Sequence, residues 1–386
     1  MIARPPATRP PLTGEARLAW LALAQVPGVG ARRFEALLAA FGSAEAALAA
    51  PPAAVAAVRG IGTACAAAIA RARPEAARTM LEAFARAGAT VLLPDDDTYP
   101  ASLRTIDEPP LFLAALGRLD LLERRAVAVV GSRDHSAYGA TCASMVTAAA
   151  AAAGLVVVSG MARGIDAIVH EAALATGTVG VLGNGIDVVY PAANRRLHER
   201  VARDGLLLSE FPPGERPAAH TFPRRNRLVS GLAEAIVIVE AAAQSGALIT
   251  ARIAADQGRE VLAVPGEITR RTAAGCNRLL AEGARPYLEP RDLYDALPGL
   301  VVPEAAVAAA ESPSGGEAAL PPLVAPPHAS EPARRVALAF DRAVADPDHL
   351  SGRTGLAVPA LLGALLELEL AGLVRPTGTG TFARAW

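Results

Sequence analysis

Six short runs between residues 126 and 266 are apolar almost without interruption: AVAVVG (126–131), LVVVSG (155–160), TVGVLG (178–183), LLLSE (206–210), AIVIVE (235–240) and EVLAVPG (260–266). A strand with one wet face alternates apolar and polar residues. A continuously apolar strand must be covered on both faces. Amphipathic stretches at 138–153, 164–176, 194–204 and from 247 onward supply that cover as helices. Strands alternating with helices predict an α/β fold, a Rossmann-like doubly wound and mostly parallel sheet.

The rest of the chain divides around this centre. Residues 1–14 form a Pro-rich tail, and residues 15–88 read as a helical domain. Within it Val26-Pro27-Gly28-Val29-Gly30 echoes Val58-Arg59-Gly60-Ile61-Gly62, each before a helix, as in SAM-type or helix-hairpin-helix domains. The Rossmann-like domain spans 90–297. Residues 298–332, rich in Pro, Ala, Gly and Ser, read as a flexible linker. Residues 333–386 form a small unit in which a helix over 359–370, a strand and a hairpin at Thr377–Gly380 suggest a winged-helix-like domain.

Bulk composition excludes several classes. Net charge is −1, so any anion site is a local cluster rather than a basic surface. All 37 basic residues are arginine, which excludes a lysine phosphate loop and lysine Schiff-base chemistry. Cys65, Cys142 and Cys276 are scattered, and no CxxC pair, paired-histidine or HExxH pattern suggests a metal, so no cofactor is expected. The N-terminus has no apolar core of signal length, and no window reaches a membrane span. A soluble, cytoplasmic chain is expected.

Ligands of doubly wound sheets bind beyond the carboxyl ends of the strands. Here those ends carry Gly131, Ser132 and Arg133, then Ser159, Gly160, Arg163 and Gly164, then Ser245, Gly246 and Thr250. Glycines leave the backbone open, and helix N-termini favour anions. Upstream of the 235–240 strand, Phe222, Arg224, Arg225, Asn226 and Arg227 interleave an aromatic with arginines. Arginine grips phosphate bidentately, and a phenylalanine face stacks any base. The pattern is what single-stranded nucleic acid requires. Asp166 and His170, four residues apart, read as a helix cap and a structural hydrogen bond, and Cys276 as a small filler.

These motifs in this order, from VAVVGSR through SGMARGIDAxxH, GVLGNGIDVVYPAAN, SEFPPG, FPRRNRLVSGL, VEAxxxSGALIT and AVPG, resemble the DNA-processing protein A family (DprA/Smf). The match runs over about 110–288. The resemblance implies a non-enzymatic protein that binds single-stranded DNA, protects incoming strands in natural transformation and helps load RecA recombinase. It also implies a homodimer formed through the Rossmann-like domain. The family's basic pocket falls on Arg133, Arg163, Phe222, Arg225, Asn226 and Arg227, while Arg224 sits at a variable position. Two other readings stand beside it: a nucleotide-binding sensor, or a nucleoside-monophosphate-processing enzyme of the related fold. The enzyme's PGGxGT turn is replaced here by EAAAQSGALIT.

Overall fold

The computed structural model describes residues 12–302, 323, 325–326, 329–340, 344–377 and 380–384. The first eleven residues, most of the expected linker and the tip of the expected hairpin (378–379) lie outside the described residues. Two compact units divide the chain, Met1–Ala308 and Ala309–Trp386.

The first unit opens with helices α1 (Gly14–Ala24), α2 (Ala31–Phe41), α3 (Ala44–Ala49), α4 (Pro52–Ala56), α5 (Thr63–Arg71) and α6 (Pro74–Arg86). The two Gly-x-Gly turns have matching geometry: Val29 N–H donates to Val26 C=O and Ile61 N–H to Val58 C=O, both at 3.0 Å. Gly28 and Gly60 both sit at φ 86°, which favours glycine.

A nine-stranded sheet follows. Its strands are β1 (Thr90–Leu92), β2 (Leu113–Gly117), β3 (Ala126–Gly131), β4 (Val156–Ser159), β5 (Thr178–Val181), β6 (Leu206–Ser209), β7 (Ala235–Val239), β8 (Glu260–Ala263) and β9 (Arg285–Pro286). They lie in the order β1-β2-β6-β5-β4-β3-β7-β8-β9. β3 to β9 pair in parallel, as the continuous apolar runs require, while β1 and β2 add an antiparallel edge. That edge is absent from the sequence reading.

Each central strand feeds two cores. Val127, Val129, Val157 and Val237 face α8 (Ala137–Ala152) and α9 (Ile165–Ala173). Ala128, Val130, Val158, Ile236 and Ile238 face α11 (Thr221–Leu232) and α12 (Gly246–Asp256). Helix α7 (Ala101–Arg104) packs against α11, and α10 (Arg195–Asp204) covers β5 and β6. The strand order runs β3-β4-β5-β6 one way and β7-β8-β9 the other, so β3 and β7 flank the switch point.

The expected boundary near residue 89 is not a gap in packing. Trp20, Phe34, Leu37, Met80 and Phe84 share one core with Val91, Phe112, Ala114 and Leu207. Arg17 Nη1 donates to both oxygens of Asp96 at 2.9 and 3.0 Å, and Trp20 Nε1 donates to Leu111 C=O at 2.7 Å. The helical layer and the sheet edge are therefore one packed body.

The second unit contains α13 (Glu331–Ala339), β10 (Val344–Ala345), α14 (Pro347–Thr354), α15 (Val358–Leu370), β11 (Val374–Pro376) and β12 (Phe382–Arg384). The strands pair antiparallel in the order β10-β12-β11 around a core of Val336, Phe340, Leu350, Leu361, Leu365 and Leu368. Helix α14 ends at Gly355, φ 67°, and α15 starts three residues later, a helix-turn-helix. The unit begins inside the expected linker, because Leu323 N–H donates to Ala337 C=O at 3.1 Å.

Truncating Trp20 tests the shared core. Trp20→Ala should cost about 3–5 kcal/mol. Denaturant unfolding followed by far-ultraviolet circular dichroism should show the helical layer and the sheet lost in one transition; a separate early helical phase would contradict it.

Candidate nucleic-acid interface

A cleft of about 540 Å³ opens at the switch point, above the carboxyl ends of β3, β4 and β7. Its walls include Gly131–Asp134 after β3, Gly160, Ala162 and Asp166 after β4, Phe222, Arg225 and Asn226 on α11, and Gln244–Ala247 with Thr250 after β7. A smaller neighbouring recess of about 50 Å³ is lined by Arg133, Arg163, Gly183, Tyr190, Phe222 and Arg225.

Close backbone approach builds the rim. Gly164 holds φ +82°, and a Cβ there would fall 2.3 Å from Ser132 C=O. Ile165 N–H instead donates to that carbonyl at 3.1 Å, tying the β3 turn to the start of α9. Asn194 Nδ2 donates to Met161 C=O at 3.1 Å and to Ala162 C=O at 3.0 Å, fixing the β4 turn from the far side.

Helix α11 sorts its residues by helical spacing. Phe222, Arg225, Asn226 and Val229 follow i, i+3, i+4, i+7 and all line the cleft. Arg224 and Arg227 lie on another face and do not reach it. Both pair with the buried carboxylate of Glu210, Arg224 at 3.3 Å and Arg227 in a closer contact. The structure thus removes two of the expected DNA-binding residues from the cleft.

Arg225 reaches the cleft as its floor. It is buried, its Nη1 donates to the carbonyls of Gly160 and Val181, and its Nε donates to Asn226 Oδ1 at 3.1 Å. A side chain on Gly160 would collide with it, since a Cβ there would lie 2.5 Å from Nη1. Burial pulls its pKa down to about 10, with Asp166 opposing the shift and Arg133 adding to it. Asp166 Oδ2 accepts from Gly160 N–H at 3.1 Å and Ala162 N–H at 3.2 Å. Burial raises the Asp166 pKa, against the pull of Arg225 and those N–H groups.

Exposed side chains gather where the cleft meets the smaller recess. Arg133 is exposed, with its guanidinium 5.5 Å from the centre of the Phe222 ring. Tyr190, also exposed, has its ring centre 5.8 Å from that of Phe222. Phe222 packs against Gly183, where a Cβ would come within 3.0 Å of the ring. Arg163 is exposed at the smaller recess. Sequence reasoning missed Tyr190, although the aromatic stands in VVYPAAN beside a strand end.

Other expected groups have structural work. Ser159 is buried and its Oγ donates to Val129 C=O at 2.7 Å, away from the cleft. Thr250 lines the cleft but is buried, and its Oγ1 donates to Gly246 C=O at 3.4 Å. Ser245 caps α12 by accepting from Ala247 N–H at 3.3 Å. The N-terminus of α8 already holds an anion: Glu240 accepts from Ser136 N–H and Oγ, both at 2.7 Å. Cys276 is fully buried, and burial pushes its thiol up to about 12, as befits a filler. Among the described residues no cluster of His, Cys, Asp and Glu fits a metal ion. Nor is any described helix long and apolar enough to cross a membrane.

His170, on α9, is locked between that helix and the sheet. Thr178 Oγ1 donates to Val157 C=O at 3.0 Å, so the His170 Nδ1–H donates to Thr178 Oγ1 at 2.7 Å. Nε2 then accepts from Met161 N–H at 3.3 Å. Burial first, and Arg225 second, push its pKa from 6.5 down to about 3.

Family models match three stretches of the chain. One described as DNA recombination-mediator protein A covers residues 90–298, a DprA-like N-terminal HHH domain covers 14–77, and a DprA winged helix domain covers 319–378. The putative DNA processing protein DprA of Mycobacterium tuberculosis is 41% identical over 309 residues, covering 76% of each chain. Protein Smf of Synechocystis is 34% identical over 379 residues, covering 92% of this chain and 95% of its own. Among solved structures, DNA processing protein A of Streptococcus pneumoniae superposes with a TM-score of 0.64 at 32% identity, covering 73% of this chain and 98% of that one. DNA processing protein A of Helicobacter pylori, whose structure was described for its single-stranded DNA binding mode, gives 0.50 at 28%, over 54% of this chain and 94% of that one.

The His170 geometry predicts acid sensitivity. Its folded pKa is depressed, so its contribution is intact above pH ~6.5 and is lost as pH falls toward ~3, by up to about 1.4 kcal/mol per pH unit. His170→Gln should flatten this acid limb by about one proton. Urea unfolding at pH 7, 6, 5 and 4 reads the slope, and an unchanged slope would place the titrating group elsewhere.

Proposed function

The chain belongs to the DNA-processing protein A (DprA/Smf) family, and on that premise we propose that it is a recombination mediator whose strand-end cleft binds single-stranded DNA. One observation carries the assignment of the site: Arg133 lies over one side of Phe222 and Tyr190 beside it, where the cleft meets the smaller recess. A guanidinium answers a phosphate and an aromatic face answers a base. Such a pair suits a strand whose bases are unstacked from a partner, since a duplex hides the faces of its bases.

A binding role rather than bond breaking is supported by the fate of the titratable groups. Asp166 is engaged with two backbone N–H groups and His170 is held neutral between Met161 and Thr178. His170 lies outside the cleft, and Asp166, on its wall, serves the β4 turn. Protection of incoming strands, loading of RecA, a homodimer through the Rossmann-like unit and a cytoplasmic location complete the proposal as expectations of the family. Arg163, at the smaller recess, is the candidate second phosphate contact.

Fluorescence anisotropy with a labelled deoxythymidine oligomer across a salt series tests the reading. Arg133→Ala should weaken binding and lower the salt slope by about one contact. Phe222→Ala should cost about 1–3 kcal/mol, and the loss should vanish on abasic strands. Arg224→Ala, on the far face of α11, should leave binding nearly unchanged. Full affinity in both the Arg133 and Phe222 variants would move the site elsewhere, and tight binding of a mononucleotide without oligomer binding would favour a nucleotide sensor.

A further inference from the structure

Helix α15 is the second helix of the helix-turn-helix, the position from which such units read the major groove. Its chemistry is wrong for that task. The helix, VPALLGALLELEL, has no arginine, asparagine or glutamine. Its inner face, Leu361, Ala364, Leu365 and Leu368, fills the core. Its outer face is also apolar: Val358 is 51% exposed, Leu362 46%, Leu366 56% and Leu370 82%. These four follow i, i+4, i+8, i+12 and form one continuous ridge. An exposed apolar ridge of this length marks an interaction surface, and phosphate offers nothing to it.

We propose that this ridge is the contact between two copies of the chain, packed antiparallel about a two-fold axis level with residue 364. A two-fold contact must be self-complementary, and this ridge is. Under that axis Val358 of one copy meets Leu370 of the other, and Leu362 meets Leu366. The charge pattern agrees. Glu369, the acid nearest the ridge, comes opposite Pro359 rather than a second Glu369. Glu367 is drawn aside by Ser330, whose N–H and Oγ both donate to it, the former at 2.8 Å. Gly363 lies beside the centre of the ridge with no atom within 4 Å of where a Cβ would stand, so the partner's backbone can approach closely. Ridges of i±4 type pack into one another at about −50°. Four aliphatic side chains are few beside the ~800 Å² per partner of a standard interface, so the association is reversible and concentration-dependent. This contact is independent of the strand-end cleft and of any pairing through the first unit.

Disulfide trapping in the full-length protein tests the register. Cysteine at both Leu362 and Leu366 (L362C/L366C) should give covalent dimers under oxidised glutathione. L362C alone and L366C alone should not, because each new thiol faces a leucine. V358C/L370C should also trap, and V358C/L366C should not. Adding Leu366→Glu to V358C/L370C should cut the trapped fraction at least about tenfold, and Leu366→Ala, which keeps the helix intact, should cut it less. Equal trapping by single and double variants, or none by either double, overturns the proposal. In the second case the ridge is covered by the chain's own first unit or by another protein.

Discussion

Arg225 carries a positive charge where water is excluded, and the ends of β4 and β5 are arranged to keep it there. The carbonyls of Gly160 and Val181 accept from its guanidinium, and Gly160 can bear no side chain because the guanidinium occupies that space. Asp166 supplies the nearby negative charge, yet it is tied to the N–H groups of the β4 turn rather than to the arginine. His170 lies close enough to feel the same charge and stays neutral. Above this floor stands Arg133, whose like charge adds to the downward shift of Arg225. Two arginines therefore converge on one cleft whose walls also carry Asp134 and Asp166, and of these carboxylates Asp166 is the one that acts on Arg225. A phosphate placed between the two arginines would relieve their repulsion, which is the electrostatic argument for the proposed site.

Topology decides where this can happen. At the switch point the connections after β3 and β7 leave in opposite directions, and a crevice opens between them. One helix start beside it is already satisfied, since Glu240 fills the N-terminus of α8. An internal carboxylate there turns a generic anion site into a structural joint, and leaves the cleft between the β3 turn, the β4 turn and α12 as the open one. Helix N-termini on one rim are thus not equivalent, and only side-chain positions distinguish them.

The fold was legible because largely apolar runs of five to seven residues admit few arrangements, and the rim was legible because glycines mark close backbone approach. The division of labour along α11 was written in the sequence as well. Phe222, Arg225 and Asn226 share one helical face and Arg224 and Arg227 another, a split that follows from spacing once the segment is known to be a helix. What spacing could not say is that the second face meets Glu210, a residue 14 positions before Arg224. Nor could it say that Ser159 turns into the sheet, since alternation along so short a strand depends on where the strand ends. Tyr190 was missed because its neighbourhood to Phe222 is made only by the fold.

A net charge of −1 limits what long-range attraction can contribute. Association of this chain with a polyanion must rely on a few arginines in contact with the strand, and on stacking that salt does not screen. In the proposed site Arg133 and Phe222 would supply both, with Phe222 packed against Gly183 and Arg133 set over its ring. The second unit follows the opposite rule, since its exposed helix offers apolar surface without positive charge. A charge-dependent contact at the cleft and an apolar one at this helix would answer to salt differently, the first weakened and the second left intact.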